Sequence, residues 1–151
     1  MIVLTNCNYE GQKLTQIIDK AVEETEILAK YGLDGLIVEN MHDLPYVQNV
    51  GPEILTSMTA ACSQVRKVFP VDKSIGVQVL AGANKGALAV ALGAELDFIR
   101  AESFVFGHVA DEGWMDAQAG DLLRYRKNIG AEHIEIFTDI KVSCYSCILT
   151  F

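Results

Sequence analysis

The chain has 151 residues, of which 50% are hydrophobic and 21% are charged, and this balance is typical of one globular domain that buries about two thirds of its unfolded surface. Its formal net charge of −8 disfavours nucleic acid or an anionic membrane as a partner, because both attract cationic surfaces. No apolar run reaches the roughly 20 residues of a membrane-spanning helix, and the first residues resemble neither a secretory signal nor a mitochondrial presequence. As written, the sequence predicts a soluble, intracellular, cytoplasmic protein.

Apolar residues recur along the chain in alternating helical and strand patterns. The predicted elements are, in order, a short strand at 2–4, a helix at 12–31, a strand at 35–39, a helix at 52–69, a strand at 75–80, a helix at 85–92, a strand at 97–102, a helix at 116–128 and a strand at 134–139. Pro52 suits the first turn of the second helix, and Pro70 stops that helix. Asn84 is predicted to cap the third helix.

Three helix ends have similar sequences that contain a glycine. Gly32, Gly93 and Gly130 each precede a strand that finishes on polar residues, and glycine accepts the left-handed conformation that closes a helix. A recurring βα unit builds a parallel sheet. We therefore predict one α/β domain over residues 1–151, an incomplete TIM-barrel-like (β/α) barrel with four or five of the eight units. An open doubly wound sheet is the alternative, but the first βα turn lacks a G-x-G-x-x-G motif.

Polar side chains stand at the carboxyl ends of the predicted strands, where parallel α/β folds bind their ligands. Glu39 and Asp139 are acid or base candidates. Lys141 is also a catalytic candidate, and with Arg100 it would hold anionic groups. Because Asp139 and Lys141 are two residues apart on a strand, they share one side, where the pair either transfers protons or forms a salt bridge. The remaining predicted ligand-binding residues are Asn40, Asp43, Gln78, Asn84 and Glu102.

Two loops leave alternatives open. The spacing of Gly82 and Gly86 allows backbone N–H groups to approach a phosphate, but it also suits tight strand–helix packing. The segment 103–114 contains the single tryptophan and is either a lid over the strand ends or an apolar plug. His108 within it is predicted to be a loop hydrogen-bonding residue rather than a metal ligand, because no second histidine has ligand spacing.

The cysteines do not predict a metal or disulfide site. Cys62 falls on the apolar face of a helix and is predicted to be a core residue. Cys144 and Cys147 form a C-x-x-C pair, but no second pair, nearby histidine or following helix supports a zinc or redox site. The sequence names no cofactor.

Four segments carry a resemblance to a known family. GLIVENMHDLPY at 35–46 resembles the signature GvivENfgDaPf of the BtpA family, and the E-N-x-x-D-x-P-[FY] run within it is fairly specific. IGVQVL at 75–80 is similar to the family's GvnvL strand, FIRAE at 98–102 to its FIRvn strand, and IFTDIKV at 136–142 to its ifaDvkvKH strand. The resemblance covers residues 10–142.

The resemblance implies a barrel related to ribulose-phosphate-binding and other phosphosugar-binding barrels, with a small phosphorylated ligand as the expected partner of a full-length relative. The family is named for a bacterial member needed for photosystem I accumulation, so a non-catalytic assembly or stability factor is the alternative function. Other members accompany sugar-metabolism genes or occur in animals, where mitochondrial residence is suggested. No reaction is established for the family, and whether the chain is an enzyme is left open.

The sequence also departs from the family pattern. The family's opening strand, with a histidine and a proline-glycine loop, is not evident at 1–6, and Ser143 and Cys144 stand where the family has lysine and histidine. Residues 143–151 are predicted to be an apolar tail unrelated to the family. Because the later βα units are missing, we expect this chain to be a truncated, inactive product.

Overall fold

The structure is a computed structural model that describes residues 2–3 and 13–139. Lys141, the C-x-x-C pair and the predicted tail at 143–151 lie outside the described residues. The elements are β1 (Ile2–Val3), α1 (Leu14–Lys30), β2 (Gly35–Glu39), α2 (Pro52–Val68), β3 (Ser74–Gln78), α3 (Asn84–Gly93), β4 (Phe98–Ala101), β5 (His108–Ala110), β6 (Gly113–Met115), α4 (Ala119–Asn128) and β7 (Glu135–Thr138).

The main sheet has five strands in the order β1-β2-β3-β4-β7, and every neighbouring pair is parallel. The strand order follows the chain without the reversal that defines a doubly wound sheet. Neighbouring helices contact each other from α1 through α4, as right-handed crossovers on one face of a sheet require. The predicted α/β fold with a parallel sheet is confirmed, and it is consistent with a partial (β/α) barrel.

The two faces of the sheet differ in character. Val38, Val77 and Ile99 are fully buried on the side that packs with the helices. Alternate residues point the other way, and on that face Phe98 and Phe137 pack with ring centroids 4.7 Å apart. Gly76 makes room for this pair, because a Cβ there would lie 2.1 Å from the Phe98 ring. The polar strand-end side chains lie on the same face, beyond the aromatic pair.

The helix ends confirm two of the three glycine predictions. Gly32 and Gly130 adopt φ values of 68° and 69° just after α1 and α4. The prediction for Gly93 is wrong, since this residue is the last of α3 and Glu95, with φ of 55°, takes the left-handed position instead. The cap predicted for Asn84 is also wrong, because Ala83 precedes α3 and provides no side-chain cap.

The segment predicted as an elaborated loop contains a β-hairpin, in which β5 and β6 pair antiparallel. Its buried residue is Met115, whereas Trp114 is 52% exposed. The hairpin is tied to the loop between β2 and α2, because the Gln48 side chain donates to the carbonyl oxygens of Glu112 and Trp114, each at 3.1 Å. It therefore lies against the loop that follows β2, and its single tryptophan does not plug the core.

Two further observations concern the burial of Cys62 and the length and apolar character of the helices. Cys62 is fully buried in the core, as predicted, and burial raises the pKa of its thiol to about 12. In the described part of the chain no helix has the length and apolar character needed to cross a membrane.

Candidate functional site

Arg100 is the centre of a polar cluster at the carboxyl ends of four parallel strands. Its guanidinium donates from Nε and Nη2 to the two carboxylate oxygens of Asp139, at 3.1 and 3.2 Å. Nη1 donates to Gln78 Oε1 at 3.0 Å and to Glu39 Oε1 at 3.5 Å. The parallel order of the strands therefore brings together four of the residues that the sequence predicted.

The geometry of this cluster gives its members different exposure. The Arg100 side chain is 43% exposed, whereas that of Glu39 is 4% exposed. A two-point contact between guanidinium and carboxylate is the strong form of such a pair, and the hydrogen bond to Asp139 raises the pKa of Arg100. Gln78, one of the predicted ligand-binding residues, is 2% exposed, and its side-chain oxygen accepts a hydrogen bond from Arg100. The cluster thus presents a cation to solvent with buried acceptors behind it.

Asn40 fixes the loop between β3 and α3. Its Oδ1 accepts the Leu80 N–H at 2.8 Å, and its Nδ2 donates to the Leu80 carbonyl oxygen at 3.3 Å. Nδ2 also lies 3.4 Å from Asp43 Oδ2. Asn40 and Asp43 are therefore adjacent, as the E-N-x-x-D run suggests, but the Asn40 amide is engaged with the main chain.

Asn84 fixes the end of β4 in the same way that Asn40 fixes the loop after β3. Its Oδ1 accepts the Glu102 N–H at 3.1 Å and its Nδ2 donates to the Glu102 carbonyl oxygen at 2.7 Å. Nδ2 also lies 3.4 Å from Oε1 of Gln118, which precedes α4. At 2% exposure, Asn84 joins the ends of β3 and β4 rather than capping its own helix.

Glu102 is bound to the glycine loop that the sequence offered as a phosphate cradle. The Gly82 N–H donates to Glu102 Oε2 at 2.6 Å, so a carboxylate of the chain occupies this donor. A Cβ at Gly86 would lie 2.7 Å from Leu55, which supports the interpretation of tight packing. Burial, as the largest cause, raises the pKa of Glu102.

Asp139 forms an ion pair with Arg100 of the neighbouring strand β4. The predicted pairing of Asp139 with Lys141 stays a prediction, because Lys141 lies outside the described residues. In residues 13–139 no group of three histidine, cysteine, aspartate or glutamate side chains could hold a metal ion.

The sequence profile of the BtpA family matches residues 3–150. This chain belongs to the BtpA family. An uncharacterised protein of Caenorhabditis elegans, named as mitochondrial, is 52% identical over 85% of this chain and 48% of its own length. An uncharacterised Archaeoglobus fulgidus protein is 35% identical over 88% of this chain and 53% of its own length.

A third BtpA-family relative, the photosystem I biogenesis protein BtpA of Synechocystis, is 33% identical over 87% of this chain and 45% of its own length. The chain therefore spans about half the length of these curated relatives. No solved structure matches it.

Sequence reasoning missed two features at this rim of the BtpA-family fold. Ser103, 4% exposed and with φ of 48°, lies with its Oγ 3.0 Å from His108 Nδ1. This confirms that His108 forms a hydrogen bond, although His108 begins strand β5 and does not lie in a loop, and no spacing rule pointed to Ser103. Tyr46 donates its hydroxyl to the Met41 carbonyl oxygen, and burial followed by the charge of Glu112 raises its pKa. The final aromatic residue of the family signature was the available signal for Tyr46.

Proposed function

We propose that this BtpA-family chain carries part of a binding site for a small phosphorylated sugar at the carboxyl ends of its parallel strands. The observation that supports the proposal most is the convergence of Glu39, Gln78, Arg100 and Asp139 from four strands in one hydrogen-bonded cluster. Ligands of parallel α/β folds bind at this end of the strands.

The chemistry of the cluster fits a ligand with both hydroxyl groups and a negative charge. Carboxylate oxygens of Glu39 and Asp139 accept hydroxyl hydrogens and are suited to move protons. Arg100 is the guanidinium that a phosphate group prefers, and Lys141 is proposed to add a second cation. In the proposal Asn40, Asp43, Asn84 and Glu102 shape the rim around the ligand.

A phosphate group would compete with Asp139 for Arg100, and this competition limits where the phosphate binds. Asp139 already takes two of the guanidinium N–H groups, and a phosphate must share or displace it. We therefore propose that Arg100 contributes to phosphate binding together with cations supplied outside the described residues. The hydroxyl-bearing part of the ligand then lies against Glu39 and Gln78.

A second function is a non-catalytic assembly or stability factor. It is favoured by the satisfaction of the described cluster, since no buried side-chain nitrogen or oxygen within residues 13–139 lacks a hydrogen-bond partner. A polar network satisfied in this way also stabilises a fold without any ligand. The name of the Synechocystis relative describes such a biogenesis role for that protein.

Thermal unfolding of the full-length C. elegans and A. fulgidus relatives with a panel of sugar phosphates separates the two functions. Ligand at about 100 times its Kd stabilises a protein by about 2.7 kcal/mol, which raises Tm by several degrees. The matched controls are the same sugars without phosphate, and inorganic phosphate alone. A shift with one sugar phosphate, lost when the residue aligned with Arg100 is replaced by Met, supports the ligand site. If none of the panel shifts Tm, the assembly function is favoured.

We further propose that the 151-residue chain alone is inactive, since it spans about half the length of its curated relatives. In the described sheet β7 is the terminal strand, and Phe137 on it is 51% exposed. Strands of a closed barrel are covered on both faces. A response of this chain to the same ligand, equal in Tm shift to that of the full-length relatives, would contradict the proposal.

A further inference from the structure

Glu102 is held at the rim through both its main chain and its side chain. The main-chain N–H and carbonyl groups of Glu102 are both hydrogen-bonded to the buried Asn84 amide. One carboxylate oxygen, Oε2, accepts the Gly82 N–H at 2.6 Å, and this bond leaves Oε1 for another partner. Glu102 lies two residues after Arg100, just past the end of β4, and the charges of Arg100 and Asp139 both act on its carboxyl group.

Glu102 differs from the other strand-end carboxylates in its charge environment. Asp139 and Glu39 both contact Arg100, whereas no lysine, arginine or histidine within residues 13–139 lies at salt-bridge distance from Glu102. A half-buried carboxylate without a direct cation favours its neutral form.

The titratable groups that face Glu102 come from four parts of the chain. Arg100 on β4 favours the carboxylate, whereas Asp139 after β7 and Glu112 on the hairpin favour the neutral acid. Tyr46, in the loop after β2, faces the same group of acids. Burial outweighs the attraction of Arg100 and the Gly82 hydrogen bond, and the pKa of Glu102 is raised.

We propose that Glu102 is the group at this rim that gives a proton to a bound ligand and takes it back. This inference rests on the proposed ligand site and assigns the proton transfer to Glu102, in place of Glu39 or Asp139. The proton passes from Oε1 of the neutral acid to a ligand oxygen or nitrogen. The carboxylate left behind is stabilised by the Gly82 N–H and by Arg100, and the reverse transfer restores the acid.

The first experiment follows the carboxyl carbons of ¹³C-labelled glutamates by NMR as the pH of the ligand-free chain is raised. We expect one glutamate to titrate clearly above the others and its signal to be missing in E102Q. Gln keeps an oxygen that accepts the Gly82 N–H but cannot titrate. The matched control E132Q, at an exposed glutamate before β7, should leave the high titration in place. If the high titration is absent, or survives in E102Q, the proposal is overturned.

The second experiment tests the transfer itself in a full-length relative that responds to a sugar phosphate. The carboxyl ¹³C signals are followed as the ligand is added at a pH where the free acid is neutral. Because the proton moves from the glutamate to the ligand, the signal of the residue aligned with Glu102 should move to the position of an ionised carboxylate, and the signal of the residue aligned with Glu132 should stay unchanged. A signal that stays at the neutral position in the ligand complex would overturn the proposal. If no sugar phosphate binds, the proposed function fails, and the NMR titration still decides whether Glu102 holds the proton.

Discussion

Asn84 holds the main chain of Glu102 by the same two hydrogen bonds that Asn40 makes to Leu80. In each case the amide oxygen accepts the N–H and the amide nitrogen donates to the carbonyl of one residue just past the next strand. Both asparagines are almost fully buried. The rim therefore has two similar links, one between the ends of β2 and β3 and one between the ends of β3 and β4, and the side chains that could bind a ligand are set on this frame.

The substitution N84A should destabilise the chain substantially. It removes both partners of the Glu102 main chain, and leaving such groups unsatisfied costs about 2 kcal/mol in the free energy of unfolding. Urea denaturation measures the loss. K85A is the matched control, because its neighbouring side chain makes only an exposed ion pair with Asp121, and we expect little change. Equal losses in the two variants would show that the Asn84 link does not stabilise the rim.

Removing the Arg100 guanidinium should destabilise the chain. In R100M the buried Glu39 and the nearby Asp139 lose their shared cation, so we expect a loss of about 1–3 kcal/mol at pH 7. The stability of R100K should lie between those of the wild-type chain and R100M, because an ammonium group cannot reproduce the two-point contact.

The measurement for R100M is urea denaturation at pH 7, with R124M as the control. Arg124 lies exposed on α4, so its replacement should change stability little. Equal losses for R100M and R124M would show that the contacts of Arg100 do not stabilise the cluster.

Gly82 and Gly32 allow backbone strain to be separated from crowding. Their φ values are 64° and 68°, so alanine is strained at both positions by about 1–2 kcal/mol. A Cβ at Gly82 would also lie 2.2 Å from Met115 Cε, whereas nothing lies within 4 Å at Gly32. G82A should therefore lose more stability than G32A in urea denaturation.

The Met115 contribution to this difference can be measured directly. In the G82A background, M115A should cost less than it does in the wild-type chain, because it relieves the contact while it removes buried apolar surface. Strictly additive losses would show that Met115 moves away from the new methyl group at no cost.

The sequence predicted the parts of this fold that depend on local patterns or on a general rule of parallel sheets. Apolar spacing and two prolines placed α2 within a residue of its observed bounds. The rule that strand ends meet at one rim predicted the proximity of Arg100 and Asp139, which are 39 residues apart in the chain.

The remainder depended on contacts that local patterns do not record. Asn84 is the first residue of α3 and not its cap, and its amide instead binds the main chain of Glu102, 18 residues later. The hairpin strands β5 and β6 have three residues each, which is too short for an alternating pattern to be recognised. Glu95 takes the position predicted for Gly93 because α3 extends through the glycine.

The raised pKa of Glu102 should appear in the pH dependence of stability. Its folded-state pKa lies above the ordinary value of 4.5, so the folded chain holds a proton that the unfolded chain releases between these two values. The stabilisation from this group is complete below about pH 4.5 and is lost as the pH rises through the folded-state pKa. Gln at this position does not titrate, so the stability of the wild-type chain relative to E102Q should fall across the same interval. Urea denaturation at pH steps from 4 to 8 measures this difference. The stability of E132Q should change with pH in the same way as that of the wild-type chain. A difference between wild type and E102Q that is constant with pH would show that Glu102 titrates alike in the folded and unfolded chains.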